Sequence, residues 1–168
     1  IRYSGFDTES PGTLSFGGLT SVVMGGLTGS SSFAMPAGVA FTFGGGNTSW
    51  SYSGPLSGGA GFTKIGTGTF ALSGVNTYAG TTTISAGAVE VAGVANLGSS
   101  GVGLNGGSLR VVGNANPMFQ ASTPITITAN SSIDVAAVGN VVTLDQAVTI
   151  PNSVQLTKAG AGSLTVLQ

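Results

Sequence analysis

Three charged residues, separated by 20 and 24 positions, are the best candidates for chemistry in this sequence. Glu90, Arg110 and Asp134 each stand between two apolar residues, so an extended chain would turn each of them to the polar face of a sheet. Paired carboxylates, or carboxylates beside a basic residue, can cleave polysaccharides as a glycosidase or a lyase does. The other interpretation is a solvated face whose ion pairs contribute about 0–1 kcal/mol each.

The surroundings of these three charges favour the solvated face. A site for a charged substrate normally gathers further ionic and aromatic side chains, and here the neighbours in sequence are mainly Ser, Thr and Ala. We therefore predict that the protein has no catalytic residue and is not an enzyme. A β-helix polysaccharide lyase or glycosidase remains the alternative.

Two further patterns resemble ligand sites, but each lacks an essential part. Gly101–Gly106 has the letters of a dinucleotide-binding loop, yet Ser108–Val112 alternates like a strand where a helix would have to begin. Asp7 and Glu9 could contribute to a calcium site, but calcium takes about six to eight oxygen ligands. We predict neither a cofactor nor a bound metal ion.

Several aromatic and amide residues have structural explanations that we prefer to binding roles. Trp50, Tyr52 and Tyr78 could stack on sugars if they were exposed, but alternation places Trp50 and Tyr52 in the core. Asn47-Thr48-Ser49 and Asn130-Ser131-Ser132 match the N-glycosylation pattern, and we interpret both as turns.

The composition limits the classes of protein that remain. Four Lys and Arg, five Asp and Glu and no His or Cys give a net charge of −1, with no charge between Ser10 and Thr63. This excludes disulfides, thiol and imidazole chemistry and a basic nucleic-acid surface. Gly, Ser and Thr interrupt every apolar run, so no transmembrane helix is expected. Thirty glycines among many Thr and Val favour strands over helices.

Apolar-x-apolar triplets recur along the chain at intervals of 17 to 24 residues. Such a period indicates a solenoid, so we predict a parallel β-solenoid of about seven or eight rungs. The predicted outward middle residues are Ser15, Ala34, Ser51, Ala71, Glu90, Arg110, Asp134 and Gln155. The flanking residues predicted to stack inside are Trp50, Tyr52, Phe70, Leu72, Val89, Val91, Leu109, Val111, Ile133, Val135, Val154 and Leu156.

One local signal favours a different all-β fold. Asn105-Gly106 is a typical two-residue hairpin turn, and it could join Val102–Leu104 to Ser108–Val111 as antiparallel strands. An antiparallel β-sandwich is therefore the alternative to the solenoid.

The stretch from Trp50 to Val111 contains a dense series of residues in fixed order: Thr63-Lys64, Gly66, Gly68-Thr69, Leu72-Ser73-Gly74, Asn76-Thr77-Tyr78, Gly80, Thr82-Thr83-Ile84, Gly87 and Val91. This series resembles the passenger-associated strand repeat of bacterial autotransporters. A second, shorter copy begins at Leu156-Thr157-Lys158 and continues through Gly160, Gly162 and Ser163-Leu164. The resemblance implies a right-handed parallel β-helix that is exported across a bacterial envelope. We expect Asn76 to bond turn backbones as a buried ladder member.

Together these observations predict a secreted, extracellular segment at the bacterial cell surface with a structural or adhesive role. We expect one solenoid domain over residues 1–168, in which residues 1–45 form a less regular N-terminal segment or cap. The start at Ile1 indicates a processed or excised product. The expected partners are further copies of the chain, joined end to end or by strand exchange into fibres, or host and surface glycans and proteins. A nucleic-acid partner is not expected.

Overall fold

A computed structural model describes residues 4–10, 14–113, 117–120, 123–146 and 148–167. Within these residues the chain forms short β-strands and a 3₁₀ helix at Val94–Asn96. No helix among the described residues is long and apolar enough to span a bilayer. The strands are β1 (Gly5–Asp7), β2 (Ser21–Met24), β3 (Gly26–Thr28), β4 (Phe33–Ala34), β5 (Ala40–Phe43), β6 (Trp50–Tyr52), β7 (Leu56–Ser57), β8 (Phe62–Lys64), β9 (Thr69–Leu72), β10 (Thr82–Ile84), β11 (Ala88–Val91), β12 (Val102–Asn105), β13 (Ser108–Val111), β14 (Met118–Gln120), β15 (Ile125–Ala129), β16 (Ser131–Val135), β17 (Val141–Asp145), β18 (Leu156–Ala159) and β19 (Ser163–Leu167).

These strands stack into three faces, and all of the described strand pairs are parallel. Face 1 has the order β2-β5-β8-β10-β12-β15 and face 2 the order β6-β9-β11-β13-β16-β18. Face 3 contains the pair β4-β7 and the sheet β14-β17-β19, while the pair β1-β3 packs beside β6 at the start of face 2. The chain is a β-solenoid of about 7 turns, which confirms the predicted fold class.

Alternation of side chains decides what each strand buries. Along β11, Val89 and Val91 are fully buried while Glu90 between them is partly exposed. The chain must turn sharply at the corners between faces, where glycine adopts a positive φ without steric cost. Gly44 has φ +102° and Gly106 has φ +114° at corners between faces 1 and 2.

The predicted register is confirmed through the middle of face 2. Ser51, Ala71, Glu90, Arg110 and Asp134 pair in that order on successive strands. Their apolar flanking residues are buried from Tyr52 to Val135, and Trp50 at the start of the series is half-buried.

The ends of the predicted register are wrong. Ala34 lies in β4 on face 3, and Ser15 lies in no strand. Asp134 pairs with Ala159 instead of Gln155, because the intervening turn is 25 residues long and the strand begins only at Leu156. Val154 and Leu156 are half-buried.

The predicted hairpin at Asn105-Gly106 is also wrong, and the β-sandwich alternative fails with it. The strands on either side of this dipeptide belong to different faces, where β12 pairs with β10 and β13 pairs with β11. Asn105-Gly106 is a corner between two stacked sheets, a position that also favours a positive φ.

The core changes in composition along the molecule. Its early turns are filled by aromatic side chains with ring centroids 5.1–6.5 Å apart, namely Phe33, Phe41, Phe43, Phe62, Phe70 and Tyr78. Phe16, which is partly buried, packs edge-on against Phe33 and Phe41. From β10 onward the buried residues are mainly Ile, Val and Leu. The later turns therefore enclose a smaller volume of side chain.

Candidate functional site

The structure brings the three sequence-predicted charged residues together as a ladder on face 2. The Nε of Arg110 lies 3.5 Å from Oε2 of Glu90 and 3.3 Å from Oδ2 of Asp134. Parallel pairing fixes this arrangement, since Glu90 is opposite Arg110 and Arg110 is opposite Asp134. One guanidinium thus lies between two carboxylates on the strands before and after it.

The geometry of this ladder matches a solvated ion-pair network. The side chain of Arg110 is 44% exposed, and those of Glu90 and Asp134 are 26% and 25% exposed. Each carboxylate already faces the same cation, and Ala71 and Ala159 continue the column on either side. The arrangement can hold three neighbouring strands in register, with contributions of about 0–1 kcal/mol for each pair.

We predict that Arg110→Ala, which removes both ion pairs, lowers the free energy of unfolding by no more than about 2 kcal/mol. The loss should shrink at high salt, because mobile ions screen partly exposed charges. Urea titrations at low and high ionic strength measure both effects. Asp145→Ala is the matched control, since Asp145 is exposed and has no ion pair among the described residues. A loss that does not depend on salt would show that Arg110 acts by packing instead.

A fourth charged residue, Lys64, lies inside the molecule, which the sequence analysis did not predict. Its side chain is only 1% exposed. Its ammonium donates hydrogen bonds to the carbonyls of Ile65 at 2.6 Å, Gly66 at 3.0 Å and, one turn later, Ala86 at 3.4 Å. Burial lowers the pKa of Lys64. This cation therefore satisfies carbonyls at the corner between faces 1 and 2 and ties two turns together.

Asn76 is a buried ladder residue, as predicted, and it also links neighbouring turns. Its side-chain oxygen accepts a hydrogen bond from the Leu56 N–H at 2.7 Å, and its amide donates to the Asn96 carbonyl at 2.5 Å. Asn96 continues the series, since its amide donates to the carbonyls of Ser73 and Gly74 at 3.1 and 3.0 Å. These side chains add to the backbone hydrogen bonds between turns on face 3, where no strand lies between β7 and β14 among the described residues.

The aromatic candidates for sugar stacking are mostly enclosed. Tyr52 and Tyr78 are fully buried, which fits the preferred core interpretation. The Tyr52 hydroxyl donates to the Ser31 carbonyl at 2.6 Å, and the Tyr78 hydroxyl shares a hydrogen bond with Thr82. Trp50 is half-buried, and its ring fills the space beside Gly5 and Gly26, where a Cβ would collide with it.

The remaining candidates have local structural roles. Asp7 accepts a hydrogen bond from the Glu9 N–H, and Glu9 binds the N–H and hydroxyl of Ser30 in the next turn. Asn47 and Asn130 accept hydrogen bonds from backbone N–H groups one turn later, as expected of turn residues. Gly101–Gly106 runs through β12 and is followed by β13. Within the described residues no three His, Cys, Asp or Glu gather where they could hold a metal ion.

The buried phenols predict that the protein unfolds in alkali. Burial raises the pKa of Tyr52 to about 12 and also raises the pKa of Tyr78, while an unfolded tyrosine has its ordinary pKa of 10.0. The folded chain therefore retains protons that the unfolded chain loses, so this stabilisation is complete below pH 10 and disappears toward pH 12. The lowered pKa of Lys64 has the opposite effect, since it makes stability rise with pH up to the ordinary lysine pKa of 10.5. The steep loss of stability should therefore follow above that pH.

Circular dichroism and tyrosinate absorbance, followed over the same alkaline range, test this prediction. In a Tyr3→Phe variant, which leaves Tyr52 and Tyr78 as the tyrosines of the chain, the two signals should change together, because these phenols ionise only as the fold opens. Tyr52→Phe should reduce the pH dependence, although it also loses the hydrogen bond to Ser31. Full tyrosinate absorbance before any loss of circular dichroism would contradict the prediction.

The comparisons with known proteins agree with this geometry. Residues 62–91 match the family model described as the passenger-associated-transport-repeat. This segment is therefore similar to a passenger-associated-transport repeat. The chain is also 35% identical over 121 residues to the adhesin BmaC autotransporter of Brucella suis biovar 1 (strain 1330), an alignment that covers 66% of this chain and 4% of that protein. No solved structure matches the chain at a significant level.

The structure explains why the segment that matches this family model contains buried polar residues. The matched residues begin at β8 and end at β11, so they cover the corner of Lys64 and the ladder position of Asn76. Both residues bond to backbone groups of the neighbouring turns. The repeat is therefore a unit of stacking, whose buried polar side chains hold one turn to the next.

The shorter second copy remains a prediction. Lys158 donates to the Gly160 carbonyl at 2.6 Å, as Lys64 donates to the Gly66 carbonyl. However, β18 lies in face 2 whereas β8 lies in face 1, and Lys158 is exposed.

Proposed function

We propose that this chain is a non-enzymatic, adhesive and spacing segment of a protein that is displayed outside a bacterial cell. The observation that carries the proposal is the combination of a β-solenoid of about 7 turns with a 121-residue match to an autotransporter adhesin. A stack of parallel turns holds a long surface in fixed register, and such a surface can bind partners by many weak contacts. The alignment covers 4% of the adhesin, so we propose, and do not take from that protein, an adhesive role for this chain.

We also propose that this segment catalyses no reaction. Arg110 forms ion pairs with both Glu90 and Asp134, so each carboxylate already has a charged partner. The hydroxyl-rich surface around them supports diffuse contact with glycans or proteins better than proton transfer. Secretion to the cell surface follows from the same interpretation, because passenger repeats belong to exported proteins.

Adhesion of beads coated with the purified chain to cultured host cells and to a glycan array tests the proposal. Binding should depend on the folded solenoid and should disappear for chain that has been unfolded and blocked from refolding. The same glycans, incubated with soluble chain, should be recovered intact. Release of oligosaccharides by the wild type, with loss of release in Asp134→Ala, would establish the lyase or glycosidase alternative instead.

A finer proposal is that copies of the chain assemble through their sheet edges. β18 and β19 lie at the edges of their sheets among the described strands, where another strand could pair. Lys158 is opposite the buried Ile133, so an added strand would cover its charge. An inward-facing charge disfavours pairing at a sheet edge unless a backbone carbonyl accepts a hydrogen bond from it, as the Ala86 carbonyl does from Lys64.

Electron microscopy of the wild type and of Lys158→Leu tests this assembly. We expect more or longer fibres from the variant, because it removes the charge that an added strand must cover. Asp145→Ala, which changes an exposed charge away from β18, should behave as the wild type does. Single particles in all three preparations would contradict assembly through this edge.

A further inference from the structure

Asn105-Gly106 is the only Asn-Gly pair in the sequence. An asparagine before glycine can react with its own backbone, because glycine offers little steric hindrance to the attacking nitrogen. Both residues are exposed, so water reaches them. The pair is therefore chemically able to lose ammonia, and the surrounding contacts decide how readily it does so.

The corner holds the two reacting groups by separate hydrogen bonds. The N–H of Gly106 donates to the Ser131 hydroxyl at 2.9 Å, and that hydroxyl donates to the Ala129 carbonyl at 2.8 Å. The hydroxyl of Thr128 donates to the side-chain oxygen of Asn105 at 3.0 Å. The pairing of β12 with β15 shifts register between Leu104 and Asn105, which brings Thr128 beside Asn105.

We propose that Asn105 is a site of spontaneous deamidation whose rate is controlled by the hydrogen bond between Gly106 and Ser131. In the reaction the deprotonated nitrogen of Gly106 attacks Cγ of Asn105. A bond forms between these atoms, the bond from Cγ to Nδ2 breaks, and ammonia leaves with a proton from solvent. Water then opens the five-membered succinimide at either carbonyl and gives aspartate or isoaspartate.

The bond to Ser131 slows this reaction for two reasons. It keeps the proton on the attacking nitrogen, and it fixes the Gly106 nitrogen toward the next turn of the solenoid. Ser131 is 8% exposed, so solvent does not readily replace its hydroxyl. The reaction therefore requires a local opening of this corner, in which the hydrogen bond between Gly106 and Ser131 breaks.

The product would change a surface that has no exposed charge. Among the strands of face 1, Lys64 is the sole formally charged residue, and it is buried. A carboxylate at position 105 would place a negative charge on this face. Isoaspartate would also add one backbone carbon at the corner that joins β12 to β13. This inference is independent of the proposed adhesive function.

Mass spectrometry of the folded full chain, incubated at mildly alkaline pH, tests the proposal. Ser131→Ala should deamidate at position 105 about two- to tenfold faster than the wild type, since a hydrogen bond is worth about 0.5–1.5 kcal/mol. Ser131→Thr keeps the hydroxyl and should restore slow reaction. Ser132→Ala is the matched control, because no hydrogen bond of the Ser132 hydroxyl is seen among the described residues, and its backbone bond to the Gly107 carbonyl is kept in the variant.

Two further measurements distinguish an effect of the hydrogen bond between Gly106 and Ser131 on the deamidation rate from a general loss of stability. Hydrogen exchange should show that the Gly106 amide opens faster in Ser131→Ala while amides in distant turns keep their protection. Asn105→Gln should abolish the modification at this position in folded and urea-unfolded chain alike. Equal rates in the wild type, Ser131→Ala and the urea-unfolded wild type would overturn the proposal, as would deamidation confined to other asparagines.

Discussion

Replacing Asn76 with alanine is expected to lower the free energy of unfolding by about 3 kcal/mol, because the change leaves two buried backbone groups without partners. The N–H of Leu56 and the carbonyl of Asn96 both depend on the Asn76 side chain. For a chain of this length the melting temperature should fall by about 6–12 °C. Urea and thermal unfolding, followed by circular dichroism, measure both quantities.

Two further variants assign the loss to the hydrogen bonds. Asn152→Ala changes an exposed asparagine and should alter stability by no more than about 0.5 kcal/mol. Asn76→Asp keeps the acceptor for Leu56 but loses the donor for Asn96, so it should also destabilise the fold, and more strongly when the carboxyl group is ionised. If Asn76→Ala were as stable as Asn152→Ala, the ladder would not hold the turns together.

Replacing Gly44 with alanine is expected to have the larger effect, about 4 kcal/mol or more. A Cβ at this position would lie 2.0 Å from the Ile65 carbonyl oxygen and 3.0 Å from the ammonium of Lys64. Gly44 also has φ +102°, which costs a residue with a side chain about 1–2 kcal/mol. Because the first contact is with backbone, the strands themselves would have to move apart at the corner that encloses Lys64.

Gly139→Ala separates the two causes of this loss. Gly139 has φ +87°, but no atom lies within 4 Å of its Cβ position. It should therefore show the conformational cost alone, about 1–2 kcal/mol. Urea unfolding measures the loss in free energy of unfolding for both variants. The difference between the two losses is the part caused by the close approach of the turns at Gly44. Equal losses in the two variants would mean that the corner can relax around Lys64.

The solenoid and much of face 2 could be predicted because the local pattern repeats at nearly constant spacing. From Ser51 to Asp134 one outward residue follows another on successive strands, and the spacing of 19 to 24 residues is short enough to recognise. The prediction failed at Ala159, because Val154 and Gln155 of the predicted triplet lie in the loop before the strand that begins at Leu156. Loop length is not restricted by the core, so alternation alone does not reveal it.

The three charges on face 2 could be found from sequence, whereas the buried polar residues could be found only in part. Charged residues are normally exposed, so residue type alone gives no reason to place Lys64 inside the molecule. The available signal was the alternation of Phe62, Thr63 and Lys64, which places the lysine on the same side as the phenylalanine. Its carbonyl acceptors come from the corner and from the next turn, and sequence spacing does not predict such contacts.

The parallel pairing described above also decides how the molecule would respond to a pull along its length. Hydrogen bonds between successive turns run along the stacking direction, so tension applied to the two ends would load them one turn after another. A turn of about 20 residues, the spacing from Glu90 to Arg110, can lengthen to about 70 Å when its strands separate. Under flow, such a segment would extend in steps and dissipate mechanical work, while the turns still stacked retained their surface.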